Sequence, residues 1–264
     1  MQADGYDIDI LVQGFPGKSV CHGGLGWSTV VLLRGRGRVV IIDTGSFNMR
    51  RVITDQLARR GLSPDAVTDV ILTHAHYDHS INWVMFPNAR VAIGAAELAW
   101  AAAQPLGHHL VPDLYIRELT ISPRLRILAE GDEVIPGMTA HAAPGHTPGH
   151  LVFHLATPAR DVVFTGDAAK NRAELITGTA DMTMDDGASV ASIARIWELW
   201  RRRPDTLLVP GHDVPMVLEN GRPTYIEERR AAITAWFDDD LETTTLFELK
   251  AVEPPAARRA AGAR

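Results

Sequence analysis

Residues 71–83 read ILTHAHYDHSINW, and His74, His76, Asp78 and His79 fall within six consecutive positions of it. The residues leading in, Val70-Ile71-Leu72, are apolar and β-branched enough to predict a buried strand. In extended chain alternate side chains share a face, so His74 and His76 point the same way, toward one ion. Asp78 and His79 follow in the turn into the next helix, within reach of a second ion. A histidine-rich surface loop is the bland alternative; four ligand-type residues directly after a buried strand weigh against it.

Two ions need more than four ligands, and three later places share one form, an apolar run, a glycine and then a ligand-type side chain. They are Ala143-Pro144-Gly145-His146, Phe164-Thr165-Gly166-Asp167 and Val209-Pro210-Gly211-His212. Glycine lets the backbone approach a crowded centre closely. Each alone is a weak signal, an ordinary loop histidine or turn aspartate. In this order, with the first cluster, they are a strong one.

Around these landmarks the pattern predicts strands over 8–13, 28–33, 38–42, 70–73, 90–93, 125–128, 138–142, 151–155, 161–164 and 206–209. Helices are predicted over 49–60, 95–104, 188–202 and 227–237, with an irregular stretch from 104 to 122. Strands lead and helices follow twice, over 7–104 and 124–238. That doubling predicts an α/β (α+β) fold, a four-layer αββα sandwich of two sheets with helices outside. A single domain is expected over 1–250, followed by a loosely ordered tail, 251–264, rich in alanine, proline and arginine.

The chain has 264 residues, 46% hydrophobic and 22% charged, with a net charge of −6. The acidic balance lacks the basic footprint of a nucleic-acid binder; Arg201-Arg202-Arg203 reads as a solvated helix end. One cysteine, Cys21, leaves no internal disulfide to form. No apolar run approaches the ~18 residues that span a bilayer, and Met1-Gln2-Ala3-Asp4 has neither a basic nor an apolar leader segment. The expectation is a cytoplasmic protein with a small-molecule substrate and no nucleic-acid or membrane partner. A homo-oligomer is compatible with the sequence, which shows no clear dimer surface.

HAHYDH, APGHTPGH, FTGD and VPGH, with the Asp43-Thr44-Gly45 turn, resemble the full ligand set of the metallo-β-lactamase-fold hydrolases over residues 8 to 215. LVQGF, DTG, HAHYDH and FPNA are also similar to a group typified by metallo-β-lactamase domain-containing protein 1. The resemblance implies a metallo-β-lactamase fold with a dinuclear site at one edge. Carried over residue by residue, His74, His76 and His146 bind the first metal, Asp78, His79 and His212 bind the second, and Asp167 bridges them. Asp43 is then a support for ligand imidazoles or loop amides, or a turn cap. Zinc β-lactamases often carry a cysteine at the position of Asp167, which argues against β-lactam hydrolysis. An aspartate there is the pattern of glyoxalase II, lactonase and nuclease relatives.

The implied activity is that of a dinuclear-metal hydrolase using a bridging hydroxide to cleave a small ester, lactone, thioester or amide. Ion-bound water ionises near pH 7 rather than near ~15.7, so no strong protein base is needed, and Asp78 is placed to accept and return a proton. The histidine-rich set suits two divalent ions, zinc first, with iron, manganese or cobalt also accepted. N-acyl homoserine lactonases of this fold carry a tyrosine three residues beyond the bridging aspartate. Here that position is Lys170, and zinc β-lactamases use a lysine so placed to grip a carboxylate. Lys170 is therefore expected to bind an anionic group on the substrate, with a plain surface lysine as the alternative. A small phosphodiesterase or nuclease, or an iron-dependent oxygenase of the same fold, is the competing reading. Trp27, Phe47 and Trp83 are candidates for an apolar pocket wall. His150, His22, His108, His109, His141 and His154 are not expected to be ligands, and His108-His109 reads as a solvent-exposed pair.

Overall fold

Each strand-rich half of the chain forms one sheet in the computed structural model, which describes residues 2–3, 5–20 and 23–250. Cys21, His22 and the expected tail, 251–264, lie outside the described residues. The first seven-stranded sheet runs Gln2–Ala3, Tyr6–Val12, Val30–Gly35, Arg38–Ile42, Asp69–Ile71, Arg90–Gly94, Leu125–Leu128. Its first four strands are antiparallel, and the last four run parallel. The second, also seven-stranded, runs Glu133–Ile135, Met138–Ala142, Leu151–Leu155, Val162–Gly166, Leu207–Pro210, Met216–Glu219, Arg222–Tyr225. It is antiparallel except where Val162–Gly166 pairs with Leu207–Pro210.

The alternation of side chains along single strands explains the layers. In Val30–Gly35, Val31 and Leu33 join the core shared with Phe153, Val162, Phe164 and Val209 of the other sheet. Val30 and Leu32 turn the other way, against Ile53, Leu57 and Leu98 of the helices Arg50–Ala58 and Ala95–Ala102. On the far side Val163 and Leu208 pack under Ile193, Ile196 and Trp200 of the helix Asp186–Arg201. Strands covered on both faces need unbroken apolar runs, hence Val-Val-Leu-Leu and Leu-Leu-Val. The result is the αββα sandwich with the metallo-β-lactamase fold.

The structure differs from the sequence expectations in several places. The stretch read as irregular before residue 122 contains the helix Asp113–Thr120, whose Ile116 and Leu119 are buried at helical spacing. Residues 227–237 are not helical: Ala232–Ala235 is a strand paired antiparallel with Thr245–Glu248. Short apolar runs of this kind do not settle helix against strand by pattern alone. Met216–Glu219 and Arg222–Tyr225 form a further hairpin, whose turn signature is Asn220-Gly221, both at positive φ. The chain divides into two compact units at Glu228/Arg229. Met1–Glu228 carries both sheets, and in Arg229–Arg264 the described residues form the last hairpin.

Candidate metal centre

The parallel pairs Arg38–Ile42 with Asp69–Ile71, and Val162–Gly166 with Leu207–Pro210, bring four strand C-terminal ends to one rim. Residue 43, the 74–79 segment, Asp167 and His212 follow those ends. Met138–Ala142 runs in the same sense and delivers His146. The rims are tied across the sandwich where Thr29 N–H donates to the Gly211 carbonyl (2.6 Å) and Leu151 N–H to the Thr73 carbonyl (2.9 Å).

All seven side chains named from the sequence meet there. The ligand atoms of His74, His76 and His146 lie within 4.8 Å of one another, and so do those of Asp78, His79 and His212 and of His74, His79 and Asp167. The Asp167 carboxylate lies between the sets. Its Oδ2 is 3.4 Å from His146 Nε2, and its Oδ1 is 3.2 Å from His79 Nε2 and 3.3 Å from His212 Nε2. Asp78 Oδ2 is 3.3 Å from His212 Nε2. Two glycines permit the approach. A Cβ on Gly211 would sit 2.3 Å from Asp167 Oδ1, and Gly166, at φ +47°, leaves a Cβ no room beside Thr73 and His150.

The surroundings fix where the ring protons lie. Asp43, itself at φ +54°, accepts from Thr73 N–H and from the Thr73 hydroxyl, both at 2.8 Å. With its proton committed there, the Thr73 oxygen is left to accept from His74 Nδ1 at 3.0 Å. His79 Nδ1 lies 2.8 Å from Asp43 Oδ2, and His146 Nδ1 lies 3.0 Å from the Met182 carbonyl. Each outer contact holds the proton on Nδ1, so in the neutral rings all three Nε2 lone pairs face inward. Fully buried His74 Nε2 has no hydrogen-bond partner, nor has Asp167 Oδ1. Lone pairs turned toward carboxylate oxygens 3.2–3.4 Å away repel unless protons or cations lie between. This donor set fits cations.

Electrostatics separates the two sets. Burial pushes His76 down to about 4 and His74 and His146 well below the ordinary histidine value, leaving neutral imidazoles. Burial acts on His79 and His212 as well, but the Asp167 and Asp78 carboxylates outweigh it and raise both. Where carboxylates are this concentrated, a proton takes the place a cation would hold.

Other expectations fared unevenly. Lys170 borders the ≈ 630 Å³ cavity that opens onto His76, Asp78, His146, Asp167 and His212. Its ammonium is already bound to Glu174 Oε1 (3.0 Å) and the Asp181 carbonyl (2.6 Å), so it is a paired side chain and not a plain surface lysine. Trp27, Phe47 and Trp83 do not line this cavity. Trp83 is buried in the core, Trp27 packs on Phe15, and exposed Phe47 lies under Arg50. They flank strand ends in sequence, but their rings turn toward the helix layer or solvent. Tyr77, Leu110 and Met182 line the cavity instead, and no chemical pattern in the sequence marks them. His150 Nε2 accepts the Asp167 N–H at 3.0 Å, which commits that lone pair. His108 is half-buried rather than exposed, because its Nδ1 accepts from the Leu110 and Val111 amides.

Fold and site together define a class, the αββα sandwich with a histidine and aspartate cluster at the shared rim of its sheets. The family model of the metallo-beta-lactamase superfamily matches residues 23–212, and the chain belongs to that superfamily. An N-acyl homoserine lactonase AiiA of Bacillus thuringiensis subsp. kurstaki is 28% identical over 165 residues, covering 61% of this chain and 62% of that one. A hydroxyacylglutathione hydrolase of Fuscovulum blasticum is 36% identical over 204 residues, covering 73% and 67%. The match thus spans about three-fifths of the lactonase's length. Among solved structures, AidC, a dizinc quorum-quenching lactonase in complex with a product, superposes with a TM-score of 0.63 at 18% identity, covering 87% of this chain and 93% of that one. The relatives described here do not bear on the finer subgroup resemblance.

Proposed function

We propose that the chain is a metal-dependent hydrolase that holds two divalent ions, zinc first, and opens a small lactone or thioester. His74, His76 and His146 would hold one ion, Asp78, His79 and His212 the other, with Asp167 shared. The observation that carries the reading is the convergence of inward Nε2 lone pairs on a carboxylate that faces both sets. The lactonase and hydroxyacylglutathione hydrolase relatives support the choice of bond, and the dizinc neighbour supports zinc.

Bound ions supply Lewis acidity and water that ionises near neutral pH. The chain's own side chains do the rest. Asp78, at the cavity floor and half-exposed to it, is placed to take a proton from attacking water and return it to the leaving group. Leu110, Met182 and Tyr77 give the acyl part of a substrate an apolar wall. Lys170 has three N–H donors, two of them engaged, so the third can reach a substrate oxygen. Since Glu174 offsets its charge, Lys170 would orient an anionic group more than attract it.

Metal analysis of purified, zinc-supplemented protein, followed by a panel of lactones, thioesters and phosphodiesters, tests this reading. Two ions per chain with lactone or thioester turnover is expected. Fewer than one ion per chain, or phosphodiester cleavage alone, would sink it.

A further inference from the structure

Glu97 opens the helix Ala95–Ala102 and is completely buried. Its partners are main-chain amides from two separate loops. Oε1 accepts from Ala75 N–H at 2.8 Å, and Oε2 accepts from Gly149 N–H at 3.1 Å. Ala75 lies between His74 and His76; Gly149 lies three residues beyond His146. One carboxylate therefore bridges the two stretches of backbone that supply every histidine of the first set. The contact is tight as well as polar: a Cβ on Gly149 would meet Glu97 N at 2.0 Å, so loop and helix start touch at backbone distance.

For stability alone this is a poor use of a carboxylate. Burial penalises its charged form and pushes its pKa up to about 7, with the Ala75 amide, the Thr147 side chain and the Gly149 amide only partly opposing that. What a carboxylate offers here, and an apolar residue lacks, is two acceptor oxygens facing in different directions from one rigid helix.

The geometry points to Glu97 as a positioning residue that sets the spacing of His74 and His76 against His146, and so the affinity of the first ion. This rests on the two-ion reading above. The second set takes its support from Asp43 and Thr44 and is outside the clamp. Loss of such a support weakens metal binding by about 10–100-fold, and here the loss falls on one ion of the pair.

The test measures release of each ion from holoenzyme by a competing chelator, with unfolding temperatures of stripped protein alongside. The variants are Glu97→Gln, whose amide puts a donor where an acceptor is needed, and Glu97→Asp, which keeps the charge but is one methylene too short to serve both amides. Both should retain one ion as the wild type does and bind the other 10–100-fold more weakly. Equal weakening of both ions, or a lowered unfolding temperature with both affinities unchanged, marks a packing role and overturns the proposal. A wild type holding fewer than one ion removes the metal-centre reading itself, a distinguishable failure that takes the proposal with it. Should neither variant fold, hydrogen exchange in stripped wild type decides. Protection of the Ala75 and Gly149 amides matching that of the sheet supports the clamp, and exchange at exposed-loop rates overturns it.

Discussion

Gly211 is where packing and the candidate metal centre meet most sharply. Its φ is ordinary, so a side chain is barred by neighbours and not by backbone conformation. A Cβ there would lie 2.3 Å from Asp167 Oδ1, 2.5 Å from the Gly166 oxygen and 2.7 Å from the Gly166 carbonyl carbon. Relief to ordinary contact needs a movement of roughly 1 Å, and two of the three obstacles are backbone. Overpacking of this kind costs ~1–3 kcal/mol, which at about 2–4 °C per kcal/mol for chains of this size lowers Tm by roughly 2–12 °C. The one atom free to yield is the Asp167 carboxylate oxygen. Metal ligands tolerate displacement of only ~0.2 Å, so Gly211→Ala should lose ions as well as stability. Scanning calorimetry with and without chelator, and metal analysis, read the two effects. Gly187→Ala is the control, since its nearest contact is an ordinary 3.5 Å within a helix and it should be neutral or stabilising by ~0.4–1 kcal/mol. If Gly211→Ala keeps two ions and the wild-type Tm, the account of a shared Asp167 at this rim is wrong.

Other expectations follow the same logic. Asp43→Asn keeps a residue that tolerates the left-handed backbone but loses an acceptor for Thr73 or His79; metal affinity should fall about 10–100-fold, read by chelator competition. Lys170→Ala should raise KM for anionic substrates while sparing neutral ones, by less than ~10-fold because Glu174 already offsets the charge; equal loss for both classes would remove the substrate-orienting role. Glu97 gives a pH dependence. Its pKa rises from 4.5 to about 7 on folding, so the folded state binds the extra proton between those values. The associated stability is whole below 4.5 and is lost as pH rises through about 7, by ~3 kcal/mol. Glu97→Gln should therefore gain on the wild type from pH 4.5 to pH 8 in stripped protein, and parallel stability curves would contradict the shift.

The clustering of the seven candidate side chains was legible because its chemistry is local: a strand, a glycine and a donor, repeated. The layers were legible because Val30 to Leu33 and Leu207 to Val209 are apolar on both faces. What escaped lacks a local mark. Asp113–Thr120 buries only Ile116 and Leu119, too few to stand out. Residues 232–235 owe their strand to partners 10 to 16 positions away. Tyr77, Leu110 and Met182 become a cavity wall only once distant loops close over the rim. Of the two contacts of Lys170, the one to Glu174 is an i,i+4 pair visible in the sequence, whereas the Asp181 carbonyl reaches it only once the chain after the helix Arg172–Thr177 folds back.

Each candidate ligand set draws on both sheets: His74 and His76 with His146, Asp78 and His79 with His212. Neither half of the sandwich can chelate by itself. On the two-ion reading, no ion would find its full cage until position 212 has emerged and docked. Loading would on that reading be a late event, and a chain lacking either half would hold no ion in a full cage.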